Sequence, residues 1–244
     1  PDGTQIAFRS ARSGTSEIWV MRSDGAEPRR LTFVNGPVTG SPRWSPDGRY
    51  IAYDTRLDGH ADIYIVTADG KTNRRLTWEP ANEVVPSWSA DGQFIYFATD
   101  ASGAWEIWKI AADRSQPARQ VTVAGGFRAI ESPDAKWLYY AKREPNSGLW
   151  RMPVGGGAEE QVASIPASVW GGWAVSSTGF YYLDPSAKPP RIAYQGSASI
   201  PAVEIRNLPV LWEGSVTVSP DDRQLVFGQL DSAISDLYRV DLVP

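Results

Sequence analysis

The amino-acid sequence predicts an all-β protein, a β-propeller of about six four-stranded antiparallel blades with incomplete first and last blades. Three observations carry this prediction. A short turn motif recurs six times at spacings of 45, 44, 43, 44 and 43 residues. An aromatic residue recurs in step with it at spacings of 45, 44, 42, 44 and 44. Between these landmarks, short apolar stretches alternate with turns, which is typical of strands rather than helices.

The two landmarks divide the chain into six repeat units. The turn motif is Pro1-Asp2-Gly3, Pro46-Asp47-Gly48, Ala90-Asp91-Gly92, Pro133-Asp134-Ala135, Ser177-Thr178-Gly179 and Pro220-Asp221-Asp222. The aromatic landmark is Trp19, Tyr64, Trp108, Trp150, Tyr194 and Tyr238. The units span approximately 1–36, 37–81, 82–124, 125–166, 167–212 and 213–244, and we expect them to form a single propeller domain, 1–244.

The second unit shows how each element is predicted. Four strands are expected at 41–44, 50–53, 62–66 and 74–77. The Ser45–Gly48 turn suits type I geometry, because proline presets φ at its second position and glycine relieves crowding at its fourth. Trp44 and Trp88, at equivalent positions of the inner strand, are expected to fill the gaps between blades.

Both ends of the chain depart from this plan. The sequence begins inside the turn that should follow a first inner strand, and it ends after the third strand of the last unit. The pattern therefore predicts 22 strands, two fewer than six complete blades contain. Because an open strand edge is a liability for a stable domain, we expect residues upstream in the natural protein to supply missing strands or further blades.

Composition excludes several classes of function. The chain has no cysteine and a single histidine, His60, which leaves no thiol nucleophile and no thiolate or multi-histidine metal site. Its net charge of −4, with no basic tract, argues against nucleic acid as a partner. No run of 18 apolar residues is present, and no Gly-x-Ser-x-Gly elbow accompanies the histidine. The sequence predicts no enzyme activity, no metal, no cofactor and no membrane insertion.

The second unit resembles the repeat of the TolB-like, WD-type β-propeller family. The similar stretches are Trp-Ser-Pro-Asp-Gly-x-x-Ile-Ala-Tyr at 44–53, Asp-Ile-Tyr at 62–64 with Asp-Gly at 69–70, and Arg-Leu-Thr at 75–77. The same repeat occurs in the propellers of tricorn and prolyl-oligopeptidase-like peptidases and of CadC-type regulators. The resemblance implies a bacterial scaffold propeller in the periplasm or another extracytoplasmic compartment, and it covers essentially the whole chain.

The resemblance also implies a binding rim, formed by the loops between blades and the loops that join second to third strands. These loops are 34–41, 79–85, 123–128, 164–172 and 208–214, together with 55–61, 99–105, 142–148, 184–190 and 229–235. The candidate ligand- or partner-binding residues are Arg43, Arg56, His60, Trp105, Arg128, Glu131, Trp170 and Trp212.

Each candidate has a functional and a structural interpretation. His60 is either a base or pH-sensitive contact, or a solvated loop histidine. Glu131 stands where two sister blades have Trp44 and Trp88, so its carboxylate must be paired or wet. We expect Arg128 or Arg43 to compensate it near the central channel. The three rim tryptophans lie outside the core register, where they either pack or stack on a sugar or protein partner.

Other charged residues recur and are therefore expected to be structural. Glu17, Asp62, Glu106 and Asp236 precede the third-strand aromatic residue, where they should anchor the preceding loop. Arginines in the fourth strands, as at 29–30 and 74–75, should protect the outer edges from aggregation.

Three functions remain open. The first is a non-enzymatic protein-interaction or sensing propeller, part of a larger protein or complex, with a protein partner on its rim. The second is a small-molecule or glycan-binding propeller that uses Arg43, Arg128, Glu131 and Trp170 at its channel mouth. The third is the gating propeller of a peptidase whose catalytic domain lies elsewhere.

Overall fold

The chain folds almost entirely into short antiparallel strands. The computed structural model describes residues 1–143, 147–164, 171–196, 203–207, 215–231 and 234–242. Within these ranges it contains 22 β-strands. No helix in the described ranges is long and apolar enough to cross a membrane. The chain divides into two compact units, Pro1–Glu131 and Ser132–Pro244, and the single domain expected over 1–244 stays a prediction.

Six antiparallel sheets follow one another along the chain, and the first and last have three strands. This topology confirms the predicted all-β, propeller class. We number the sheets as blades 1 to 6 in chain order.

The first unit holds three blades and one further strand. Blade 1 contains β1 (Gln5–Ser10), β2 (Glu17–Arg22) and β3 (Arg29–Arg30); blade 2 contains β4 (Val38–Trp44), β5 (Tyr50–Arg56), β6 (Ala61–Thr67) and β7 (Asn73–Arg75); blade 3 contains β8 (Glu83–Trp88), β9 (Phe94–Thr99), β10 (Glu106–Ala111) and β11 (Arg119–Gln120). The unit ends with β12 (Phe127–Glu131), the first strand of blade 4.

The second unit holds the remaining strands. Blade 4 continues with β13 (Trp137–Lys142), β14 (Gly148–Pro153) and β15 (Glu160–Ala163); blade 5 contains β16 (Trp173–Val175), β17 (Gly179–Asp184), β18 (Arg191–Gly196) and β19 (Val203–Asn207); blade 6 contains β20 (Val216–Val218), β21 (Gln224–Asp231) and β22 (Ile234–Asp241).

The recurring aspartate builds the turn that joins the first two strands of a blade. In blade 2 the hydroxyl of Ser45 donates to Asp47 Oδ1 over 2.6 Å and accepts the Tyr50 N–H over 2.9 Å. The hydrogen bond from Ser45, reinforced by the Arg49 amide and side chain, lowers the pKa of Asp47 to about 2. The same serine–aspartate bond recurs at Ser89–Asp91, Ser132–Asp134 and Ser219–Asp221. The turn aspartates are therefore structural in these blades.

The fourth residue of this turn has a left-handed backbone. Gly48 and Gly92 have φ of 69° and 70°, values that glycine adopts without steric cost. Blades 4 and 6 place Ala135 and Asp222 there, each with φ of 56°. A side chain in this conformation costs about 1–2 kcal/mol.

Neighbouring blades bury their faces against each other in the first unit. Ile51 and Tyr53 of β5 join a core cluster with Ile18 and Val20 of blade 1, whereas Ala52 belongs to the next cluster, with residues of blade 3. This follows from the two-residue period of a strand, which sends successive side chains to opposite faces. Trp44 packs against the first cluster and Trp88 against the second, which confirms the prediction that they fill the gaps between blades. In the second unit, blades 5 and 6 share a third cluster.

Outer-strand arginines connect blades, and the edge-protecting role expected of them stays a prediction. Arg29 donates from Nη2 to the carbonyl of Ala68 over 2.6 Å, in the Asp-Gly turn of the next blade. Arg74 donates in the same way to the carbonyl of Ala112 in blade 3. These contacts join blades 1 to 2 and 2 to 3 because an arginine side chain is long enough to reach the neighbouring turn.

The outer strands are also shorter than the sequence predicts, because a threonine replaces a backbone partner. β7 ends at Arg75 rather than Thr77. The Thr77 hydroxyl accepts the Ile63 N–H over 3.0 Å, a bond that a strand carbonyl would otherwise make. Thr32 and Thr122 accept the N–H groups of Ile18 and Ile107 in the same way.

Each inner strand of the first unit contains a residue with a left-handed backbone. Ser41, Val85 and Arg128 have φ of 51°, 49° and 52°. The strand register shifts between Gly40 and Arg43 and between Val84 and Ser87, which marks these positions as bulges. Asp54 stabilises two of them, because its buried carboxylate accepts the Val85 N–H over 3.2 Å and a hydrogen bond from Ser41.

The turn geometry predicts opposite effects for two substitutions. Gly92→Ala should lower the free energy of unfolding by about 1 kcal/mol, because alanine is strained at this φ although its Cβ has room. Ala135→Gly should raise the free energy of unfolding by a similar amount by releasing that strain. Urea denaturation measures both, and Gly155→Ala is the control because it meets open space at an ordinary φ. Equal effects of the three changes would contradict the assignment.

Candidate functional site

A buried carboxylate at the start of the third strand fastens the loop between blades. Glu17 of blade 1 accepts the Thr32 hydroxyl over 2.5 Å and the N–H groups of Val34 and Asn35 over 3.1 and 2.9 Å. Burial alone would raise the pKa of Glu17, but the hydrogen bonds from Thr32 and these amides outweigh it and lower that pKa. Glu17 is therefore structural, as expected, but it mainly anchors the loop between blades rather than the loop before its own strand, from which it accepts one bond, from Thr15 Oγ1 over 3.3 Å.

Blade 3 repeats this arrangement. Glu106 accepts the Thr122 hydroxyl over 2.6 Å and the Gly125 N–H over 3.0 Å. The next residue of that loop is Gly126, where an added Cβ would lie 2.8 Å from the Thr122 hydroxyl. The absence of a Cβ at Gly126 therefore leaves room for the hydrogen bond between Thr122 and Glu106.

Blade 2 has different residues at the positions of Glu106 and Gly126. Asp62 is one methylene shorter than Glu17 and Glu106, and the equivalent of Gly126 is Glu83, the first residue of the inner strand β8 of blade 3. The Thr77 hydroxyl bonds to Glu83. Asp62 is held by Arg75, whose Nη2 lies 2.7 Å from Oδ2. At the position of Glu17 and Glu106, the seam between blades 2 and 3 therefore holds two buried carboxylates, Asp62 and Glu83, where the sister seams hold one.

The second carboxylate changes the electrostatics of this seam. Burial raises the pKa of Glu83 to about 7, the bond from Thr77 opposes the shift, and the negative charges of Asp62 and Glu79 add to it. Burial also raises the pKa of Asp62, against the hydrogen bond and charge of Arg75 and the charge of His60. Oxygen Oε2 of Glu83 and Oδ1 of Asp62 are buried without a hydrogen-bond partner among the described residues. The sequence does not single out Glu83, because the residue is unremarkable until its neighbours are known.

His60 lies against the same cluster. Its Nε2 is 3.6 Å from Asp62 Oδ2, and the side chain is 25% exposed. The carboxylate that it faces is already engaged by Arg75. His60 is thus a half-buried neighbour of a buried ion pair.

Arg56 belongs to a polar network on the loop end of blades 2 and 3. It donates to Asn82 Oδ1 over 3.0 Å, and Asn82 donates from its side chain to Asp100 Oδ2 over 2.8 Å. The Asn82 amide N–H also donates to Asp100 Oδ1 over 2.8 Å. These bonds hold the loop that follows β5 and the loop that precedes β8 in one arrangement.

Exposed apolar side chains lie next to this network. Leu57 follows Arg56 directly and is 43% exposed, and Val38, the register partner of Arg56, is 42% exposed. A Cβ added to Gly36 would lie 3.1 Å from the Leu57 side chain, so the loop before β4 is closely applied to Leu57. We call Val38, Leu57, Arg56, Asn82 and Asp100 the rim patch.

In all three blades of the first unit, a threonine lies two residues after the outer strand, and the residue that follows this threonine is apolar and exposed. Phe33, Trp78 and Val123 are 69%, 47% and 85% exposed. Arg30 lies over the Phe33 ring at 4.3 Å, and Arg114 lies over the Trp78 ring at 3.8 Å. Their common position after Leu-Thr or Val-Thr is visible in the sequence, and the sequence analysis did not use it.

Glu131 is compensated by a tyrosine, so the expected pairing with Arg128 or Arg43 is wrong. Its Oε1 accepts the Tyr96 hydroxyl over 2.7 Å, and its Oε2 accepts the Ala90 N–H over 2.8 Å in the turn of blade 3. The position of Tyr96 is Ala52 in blade 2, which leaves room for Trp88. The large residue is Trp88 of the inner strand in one seam and Tyr96 of the second strand in the next. The Glu131 carboxylate accepts the hydrogen bond that the Tyr96 hydroxyl needs.

Arg43 and Arg128 both lie on inner strands of the first unit. Arg128 is 3% exposed, and burial together with the charge of Arg43 lowers its pKa. Burial alone lowers the pKa of Arg43, which is half-buried. The charge of Arg43 thus acts on Arg128, whereas the carboxylate of Glu131 binds Tyr96 and the Ala90 N–H.

Of the three candidate tryptophans, the structure describes Trp105. Trp105 is half-buried and packs edge to face against Phe127, with ring centroids 5.2 Å apart. Trp170 and Trp212 lie outside the described residues. No group of three or more histidine, aspartate or glutamate side chains in the described ranges is arranged to hold a metal ion.

The six antiparallel sheets that follow one another along the chain define the class of the protein, a β-propeller. A family model described as the TolB beta propeller domain matches residues 36–168. The chain belongs to the TolB β-propeller family.

Solved structures agree with this fold. TolB from Acinetobacter baumannii has a TM-score of 0.80 and 20% identity over 99% of this chain and 62% of that chain. A putative TolB from Agrobacterium tumefaciens has a TM-score of 0.63 and 25% identity over 68% of this chain and 63% of that chain. An oligogalacturonate lyase in complex with manganese has a TM-score of 0.65 and 12% identity over 98% of this chain and 72% of that chain. The chain thus spans less than two thirds of the length of the two TolB structures.

The raised pKa of Glu83 predicts a pH-dependent stability. The folded protein keeps a proton on Glu83 between about pH 4.5 and 7, which the unfolded chain releases. The stabilisation is complete below the ordinary pKa and is lost as pH rises through about 7. Glu83→Gln should therefore flatten the fall in stability between pH 5 and 8 and should be more stable than wild type at pH 8, by roughly 1–3 kcal/mol.

Urea denaturation across this pH range measures the effect. Glu27→Gln is the control, because Glu27 is an exposed carboxylate of blade 1 that does not contribute to the raised pKa of Glu83. Identical pH profiles for wild type and Glu83→Gln would contradict the assignment.

The exchange of Trp88 and Ala52 for Glu131 and Tyr96 predicts a compensating pair of mutations. Tyr96→Ala should leave a cavity that costs about 3–5 kcal/mol, and Glu131→Trp alone should overpack the seam at a cost of about 1–3 kcal/mol. The double variant rebuilds the pair found between blades 2 and 3. Its loss of unfolding free energy should fall short of the sum of the single losses by more than about 1 kcal/mol, whereas strict additivity would refute the exchange.

Proposed function

We propose that this chain is a non-enzymatic propeller that binds a protein partner through the rim patch. The observation that carries the proposal is the joining of exposed Leu57 and Val38 to the Arg56–Asn82–Asp100 network. Apolar side chains bordered by hydrogen-bonded polar groups are the usual composition of a protein-binding surface.

The rim patch is also prearranged, which favours binding. Asn82 accepts from Arg56 and donates to Asp100 through both its backbone and its side chain. Loops already held in one conformation lose less entropy when a partner binds. A partner with an apolar contact for Leu57 and polar groups for Arg56 and Asp100 fits this surface.

The charged residues support a scaffold rather than a catalyst. Glu17 and Glu106 accept loop amides and threonine hydroxyls, and Asp62, which faces His60, is engaged by Arg75. One structural neighbour is an oligogalacturonate lyase, so this fold also occurs in enzymes. Its 12% identity carries no activity to this chain.

We further propose an extracytoplasmic location within a larger protein or complex. Membership of the TolB β-propeller family supports it, and a chain without cysteine suits an oxidising compartment as well as a reducing one. Fractionation of the host cell tests this location.

A photo-reactive amino acid at Leu57 tests the rim patch in the native host. We expect discrete protein adducts at Leu57, and no such adducts at Lys71, an exposed residue beside the Asp-Gly turn at the other end of β6. With the partner identified and purified, Leu57→Asp should weaken binding by at least about tenfold, and Lys71→Asp should leave binding unchanged. Equal labelling at both sites, or unchanged affinity for Leu57→Asp, would overturn the proposal.

A further inference from the structure

The loop between blades 2 and 3 lacks a donor that its sister loops have. In blade 1 the third residue after the threonine that follows the outer strand, Asn35, donates its N–H to Glu17 over 2.9 Å, and blade 3 has the equivalent bond. The third residue after Thr77 is Pro80, which has no N–H. The carboxylates of this seam therefore lack that loop hydrogen bond, and Glu83 Oε2 is buried without a partner among the described residues.

Negative charge is in excess around Glu83, which is 3% exposed. The charged groups that act on it come from three elements: Asp62 on β6, Arg75 on β7 and Glu79 in the loop. Arg75 is the cation of this set, and its guanidinium already binds Asp62 over 2.7 Å and Asp58 over 3.2 Å. His60 faces Asp62, with Nε2 3.6 Å from Oδ2. An ionised Glu83 therefore adds a negative charge to a buried site whose arginine is engaged, which is costly unless the group keeps its proton or moves into water.

Glu83 is joined directly to the rim patch. Asn82 precedes it and holds the patch together, because it accepts from Arg56 and donates through its backbone and its side chain to Asp100. On the neighbouring strand β9, the uncharged Thr99 lies opposite Glu83, and Asp100 follows Thr99. The start of β8 thus carries a buried carboxylate next to the central asparagine of the rim patch. An outward movement of Glu83 therefore displaces Asn82 from its partners.

We propose that the proton on Glu83 controls the arrangement of the rim patch. With Glu83 neutral, the loop 79–83 stays closed and Asn82 holds Arg56 and Asp100. With Glu83 ionised, the loop moves toward water and this network opens. The effect on partner binding rests on the proposed function, whereas the opening of the loop does not.

The change falls in the neutral pH range. Burial raises the pKa of Glu83 to about 7, against the hydrogen bond from Thr77 and with the charges of Asp62 and Glu79. In the open loop, a solvated Glu83 has the ordinary pKa of a glutamate, so the closed form is the one that holds the proton. The preference for the closed form is complete below that ordinary pKa and is lost as pH rises through about 7. Between about pH 5.5 and 8, the open fraction should therefore rise by about tenfold or more.

Hydrogen exchange of asparagine amides, followed by NMR, measures the opening without a partner. The chain contains five asparagines, so selective ¹⁵N-asparagine labelling gives few signals, and Asn82→Ser identifies the signal of Asn82. Asn35 is the internal reference, because its N–H is bound by Glu17, whose pKa is lowered. The exchange rate of the Asn82 N–H relative to that of Asn35 should rise by about tenfold or more from about pH 5.5 to 8. In Glu83→Gln this ratio should stay constant.

His60→Gln separates the titration of the neighbouring histidine from that of Glu83, and this variant should keep the wild-type response. Loss of the response in His60→Gln, a constant ratio in wild type, or an equal rise in Glu83→Gln would each refute the proposal.

Binding separates this switch from the proposed function. With the partner identified through Leu57, wild type should bind it about tenfold or more tightly at pH 6 than at pH 8, and Glu83→Gln should bind it equally at both. Equal wild-type binding at both pH values would contradict the control of binding by Glu83. The absence of binding at either pH would instead contradict the proposed function.

Discussion

The structure depends on one constraint, which is that a four-stranded sheet cannot bury both of its apolar faces alone. Side chains of β5 alternate between two core clusters, with Ile51 and Tyr53 on one side and Ala52 on the other. Each blade therefore exists only as part of a seam with its neighbours. Polar contacts such as Arg29 to Ala68 and Arg74 to Ala112 follow the same seams.

The seams are equivalent in plan but differ in chemistry. Trp88 beside Ala52 fills the same kind of gap as Glu131 beside Tyr96. At the other end of the strands, blades 1 and 3 each have one buried glutamate, Glu17 and Glu106. The equivalent place between blades 2 and 3 holds two carboxylates, Asp62 and Glu83. The first change is compensated within its seam by the hydrogen bond between Tyr96 and Glu131. The second leaves Glu83 Oε2 and Asp62 Oδ1 without hydrogen-bond partners among the described residues.

Function is expected where the structure does not use the side chains. The recurring carboxylates and turn aspartates are occupied by hydrogen bonds of the frame. By contrast, Leu57 is exposed on the loops, and the hydroxyl of Ser87 is buried without a partner among the described residues.

The sequence by itself determined the all-β class, the blade period, the Ser-x-Asp turns and the structural role of Glu17 and Glu106, because each depends on contacts within one repeat. The partner of Glu131 and the importance of Glu83 were decided by tertiary structure. In both cases the partner lies in a neighbouring blade, and Tyr96 and Glu131 are 35 residues apart in the chain. A repeat pattern gives equivalent positions, but only packing decides which equivalent residues meet across a seam.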